Sequence, residues 1–173
     1  MEEIIQQVTT GGWYEMFLDG RVWAIIGAAI VVILTGMGSA KGVSMVGDAG
    51  IAVVTEDPDK FGQVLLLQAL PGTQGIYGLL TAFIVLNKIG MIGGESVTVS
   101  LGAGIMLFLA VLPITIVGYG SAILQAKEAV AAVSLVAEKP EELAKGMVMA
   151  AMVETYAVLA VLISVLIAMG VQI

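Results

Sequence analysis

The sequence predicts an all-α membrane protein, with four transmembrane helices arranged as two duplicated antiparallel hairpins. Three observations carry this prediction. The 173 residues are 59% hydrophobic and 12% charged, with a mean hydropathy of +1.04. A soluble domain needs more polar residues than that to cover its core. Residues 22–40, 61–87 and 96–126 carry no charged side chain, and 146–173 carries only Glu154. Each stretch is close to or beyond the ~20 residues with which a helix crosses a bilayer. The chain also repeats itself at an offset of 82 (58 to 140). Gly36, Gly38, Ser39 and Ala40 match Gly118, Gly120, Ser121 and Ala122. Glu56 and Pro58 match Glu138 and Pro140, Ala69 matches Ala151, and Thr73 matches Thr155. One helical hairpin is used twice.

Residues 1–20 form an acidic N-terminal extension. It begins MEEIIQQVTTGG, without a basic start or a small-residue cleavage site, so the chain is expected to be inserted and retained rather than cleaved. Trp13, Tyr14, Phe17 and Trp23 mark the headgroup level at the mouth of the first span. The first hairpin is assigned to 21–87. Its first helix runs from about Arg21 into the region 48–54, and its second from Pro58 to about Asn87. The link TEDPDK places Pro58 where a helix starts well. Residues 88–95, KIGMIGGE, form an external loop. The second hairpin takes 96–173: a helix to about Ala137, the link AEKPEE, and a fourth helix.

Lys41, Lys60, Lys127, Lys139 and Lys145 lie toward the two proline-containing links, and only Arg21 and Lys88 lie toward the other side. The positive-inside rule then puts both links in the cytoplasm and both termini outside. Cysteine and histidine are absent, which excludes disulfides, thiolate or imidazole metal sites and histidine proton relays. The net charge of −7 leaves no basic footprint for nucleic acid.

The chemistry centres on Glu154. A charge deep in a membrane helix costs a few kcal/mol, so it must be neutralised by a proton, a cation or a partner. Gln125 and Glu154 each lie about 14 residues from the centre of the second link, ~22 Å along helices rising 1.5 Å per residue. They share a level. The repeat puts Gly72 opposite Glu154 and Val43 opposite Gln125, so the first hairpin lacks both polar groups. Around Gly72, Leu70, Thr73, Gln74 and Tyr77 fall at i, i+3, i+4 and i+7, on one helical face. Pro71 disturbs the turn before it and can leave a carbonyl available as a ligand.

The Leu70 carbonyl, Thr73, Gln74, Gln125 and Glu154 thus offer five oxygens to a hard cation, with Tyr77 suited to hold the carboxylate. With one negative charge, a monovalent ion leaves the site neutral, so Na+ fits better than Ca2+ or Mg2+. A proton needs only the carboxylate and competes at low pH. Threonine and glutamine in membrane helices often serve only as interhelical hydrogen-bond partners, but their shared depth with Glu154 favours a site. Gly36, Gly38, Gly42, Gly47 and Gly50 in the first helix, and Gly118, Ala122 and Ala126 in the third, predict close helix packing. No partner is assigned to Lys41 or Lys127. A small exporter exchanging protons for an organic cation at Glu154 is the rival reading. It would need an aromatic-lined cavity where these helices offer glycine and alanine.

LPGTQGIYG in the second helix, AILQAK in the third and AAMVETYAVL in the fourth resemble the proteolipid of the rotor ring, of c or K type, in bacterial V-type ATPases. The resemblance covers about residues 22–173. It implies a homo-oligomeric ring of four-helix copies embedded in lipid and turned by ATP hydrolysis elsewhere in the complex. The copies themselves would be non-catalytic. A stator membrane subunit would supply an arginine to each emptied Glu154, and a central-stalk subunit would meet the ring on the cytoplasmic side. For the sodium-dependent branch the resemblance implies Na+ at Leu70, Thr73, Gln74, Gln125 and Glu154, with Tyr77 bonding the carboxylate. The alternative is the same rotor translocating H+.

Overall fold

The computed structural model describes residues 16–94 and 97–173. The expectations for residues 1–15, Trp13 and Tyr14 among them, and for the join at 95–96 lie outside the described residues.

Four spans are long and apolar enough to cross a membrane: α1 (Gly20–Glu56), α2 (Pro58–Lys88), α3 (Leu101–Glu138) and α4 (Pro140–Gly170). The duplication is visible in their boundaries. α1 ends at Glu56 and α3 at Glu138. A 3-10 turn then runs over Pro58–Lys60 and Pro140–Glu142, and α-helix begins at Phe61 and Leu143. Each pair is 82 residues apart. In both links the proline stands at the first helical positions, where it loses no intrahelical bond.

α2 is interrupted in mid-span. After Phe61–Ala69 it tightens into a 3-10 turn at Leu70–Gly72 and resumes as Thr73–Lys88. Pro71 causes this, because it has no N–H to donate and its ring crowds the carbonyl four residues earlier.

The third helix starts at Leu101, later than the expected position 96. Ser100 is extended (φ −64°, ψ 153°) and caps the helix by accepting from Ala103 N–H at 3.2 Å. Val97 is held outside the helix, since its carbonyl accepts from the Arg21 guanidinium (Nε at 2.7 Å) at the start of α1. Capping and this clamp decide the boundary, which absence of charge alone does not reveal. On the other side of the loop, Lys88 belongs to α2 and donates to the Met169 carbonyl at 3.1 Å.

α1 and α3 form the central pair, with α2 against α1 and α4 against α3. Glycines allow the close approach expected of them. A Cβ on Gly38 would lie 2.8 Å from the Tyr119 backbone, and one on Gly42 2.9 Å from the Ala122 carbonyl. Two apolar clusters fill the interior. One, nearer the links, includes Val46, Leu67, Val133 and Val136, and the other includes Val31, Val85, Leu107 and Ile114. Between them lies a layer with buried Gln74 and Gln125. Ile76, Leu79, Leu80 and Phe83 of α2, and Met152, Leu159, Leu162 and Leu166 of α4, face outward and exposed. That surface suits lipid or further copies, not water.

Candidate functional site

Heights set by helix geometry bring the polar residues together. Gln125 Nε2 donates to Glu154 Oε2 at 3.2 Å, so α3 and α4 present them at one level. Gln74 Nε2 donates to Gln125 Oε1 at 2.7 Å, and the Tyr77 hydroxyl donates to Glu154 Oε1. The result is a continuous hydrogen-bonded chain from Gln74 through Gln125 and Glu154 to Tyr77. Both glutamines are fully buried, at 0% exposure. Gln74 Oε1 is buried with no partner. An unmet buried acceptor costs about 1–3 kcal/mol, so this oxygen has capacity for a further donor or a cation.

Leu70 and Thr73 sit beside this chain but bond to each other. The Thr73 hydroxyl donates to the Leu70 carbonyl at 3.0 Å, and Thr73 N–H bonds the same oxygen. At the 3-10 turn that Pro71 imposes, the Leu70 carbonyl thus accepts from its i+3 residue through both backbone and side chain.

Two supports escaped sequence reasoning. Where α2 resumes after the 3-10 turn, Gly75 N–H donates to Ser39 Oγ of α1 at 2.8 Å, tying the restart to the neighbouring helix. The match of Ser39 with Ser121 in the repeat was the available signal. Pro113 lies inside α3, and the next residue, Ile114, donates its N–H to buried Ser164 Oγ of α4 at 3.2 Å. That bond holds α4 against α3 ten residues beyond Glu154.

Glu154 is half-buried, and its open side faces a surface depression lined by Ala151, Thr155, Val158 and Leu159. Among the described residues no three of Asp, Glu, His or Cys converge. The site therefore offers one negative charge and several neutral oxygens. Such a set can discharge a proton or a monovalent cation and would leave a divalent one uncompensated. Lys41 and Lys127 are exposed, and neither takes part in the ion pairs among the described residues, Lys60–Asp57 and Lys145–Glu142.

Comparison with known proteins agrees with the duplication. Residues 26–85 and 101–167 each match the family of the ATP synthase C subunit. The chain is 45% identical over 151 residues to the V-type sodium ATPase subunit K of Enterococcus hirae, spanning 87% of this chain and 93% of that protein. It is 36% identical over 154 residues to the A-type ATP synthase subunit K of Methanocaldococcus jannaschii. That alignment spans 89% of this chain and 65% of the archaeal protein, just under two thirds of its length. With two matched units, each a helical hairpin, and 45% identity to a subunit K over most of both chains, this chain belongs to the ATP synthase C-subunit family.

Proposed function

We propose that this chain is the ion-carrying rotor subunit of a membrane rotary ATPase, binding one Na+ per copy at Glu154. The observation that carries the reading is the buried, unpartnered Gln74 Oε1 beside the Glu154–Gln125–Tyr77 network at mid-span. The carboxylate supplies the charge. Gln74 and Gln125 supply amide oxygens, Leu70 a carbonyl and Thr73 a hydroxyl, while Tyr77 holds the carboxylate in place. The likeness to the sodium ATPase subunit of E. hirae supports sodium as the cargo.

An occupied site is neutral and can pass lipid, whereas an emptied one needs a cation beside it. Among the described residues no basic group bonds Glu154, so a stator subunit supplies an arginine. Copies of the chain form a ring, and a central-stalk subunit meets the links on the cytoplasmic side, with both termini outside. Moving a charge against 100 mV costs ~2.3 kcal/mol. That work comes from ATP hydrolysis in other subunits, and this chain is a non-catalytic component.

Carbodiimide labelling tests the cargo. The reagent attacks the protonated acid, so labelling of Glu154 should fall as pH rises and as Na+ is added at fixed pH. Labelling indifferent to Na+ would transfer the proposal to the proton-carrying rotor.

A further inference from the structure

Glu128 is a second carboxylate at membrane depth, and the site does not use it. It lies about 11 residues before the centre of the second link, ~17 Å up α3 and only ~5 Å below the Glu154 level. It lines a groove on the α3/α4 edge with Leu124, Lys127, Met152, Val153 and Tyr156. The ion pairs among the described residues leave it out. Lys127 lines the same groove, but as the chain neighbour of Glu128 it points off at a different angle and forms no ion pair with it. A carboxylate so placed is costly against lipid tails.

The opposite, α1/α2 edge carries a second groove, bounded by Gly47, Ile51, Phe61 and Val64 and containing Gln68. Gln68 and Gly47 lie about 10 residues from the centre of the first link, ~16 Å up their helices and level with Glu128. Gly47 has no side chain, and a Cβ there would lie 2.5 Å from Gln68 Nε2. The amide therefore sits in the groove, held only by a long 3.4 Å bond to the Val43 carbonyl. One edge thus presents an unpaired acceptor and the other a donor with an N–H to spare, at one height.

We propose that adjacent copies meet head to tail through these edges, with Glu128 of one copy accepting a hydrogen bond from Gln68 Nε2 of the next. The inference rests on the ring reading above and adds its register. A two-fold contact between like edges would bring Glu128 against Glu128, two like charges at one depth. The head-to-tail contact avoids this and can close into a ring.

The chain contains no cysteine, so thiol cross-linking has no background. Membranes carrying the double variant Gln68→Cys, Glu128→Cys should give, on oxidation or with a short bifunctional thiol reagent, a ladder of covalent oligomers. Each single variant should give none. A covalent dimer from Glu128→Cys alone would overturn the head-to-tail contact. An unlinked double variant in a protein whose native mass is still a large oligomer would overturn the register and leave the ring standing. A wild-type native mass of a monomer or dimer would overturn the ring reading itself. Where the cysteines disturb assembly, charge reversal decides. Gln68→Glu should lower the thermal stability of the oligomer, and adding Glu128→Gln should restore it; absence of rescue overturns the contact.

Discussion

Replacing Gln125 by alanine probes both halves of the site at once. The side chain is fully buried and makes two bonds, accepting from Gln74 at 2.7 Å and donating to Glu154 at 3.2 Å. Its loss leaves the Gln74 N–H without an acceptor, at about 1–3 kcal/mol of folding stability. Its amide oxygen is also one of the five proposed ligands. An interaction of a neutral dipole with a charge is worth about 1.5–3 kcal/mol. At 1.4 kcal/mol per tenfold, Na+ affinity should fall about 10- to 100-fold. The bond to the carboxylate can exist in both loaded and empty sites, so the ligand oxygen dominates the change. Equilibrium Na+ binding by the purified oligomer, measured calorimetrically, reads the effect. A dissociation constant within about twofold of wild type, with native mass unchanged, would refute the ligand role of Gln125. The carboxylate variant Gln125→Glu gives a complementary check. It makes the site doubly negative and should shift preference toward Ca2+.

Other consequences are as direct. Tyr77→Phe removes the donor to Glu154 Oε1, so carbodiimide labelling should accelerate at a given pH and Na+ should protect less well. Gly78→Ala would place a Cβ 1.9 Å from Thr35 Oγ1, and the overpacking should cost about 1–3 kcal/mol in thermal unfolding. Thr35→Ala added to it should recover much of that loss. Ile173→Cys should react with a membrane-impermeant maleimide added outside intact cells; protection there would reverse the proposed sidedness.

Much of this protein is written in local pattern. Four spans, the 82-residue repeat and the links at Pro58 and Pro140 follow from hydropathy and proline chemistry, which act within a few residues. The common level of Gln125 and Glu154 follows as well, because a regular rise of 1.5 Å per residue turns sequence distance into height. Position along a helix is therefore readable. What lies across from it at that height is not.

Tertiary packing made the remaining decisions. The Arg21 bond to the Val97 carbonyl, spanning the loop, moved the start of α3 to Leu101. Ser39 became the acceptor for Gly75 only because α1 and α2 meet there, and the 3-10 turn gave the Leu70 carbonyl to Thr73. The unmatched Gln74 oxygen likewise depends on the rotation of α2 about its axis. The physical reason is common to all: hydrogen bonds between segments far apart in sequence depend on rotation and tilt. Those are fixed by which side chains interlock, and no single helix carries that information.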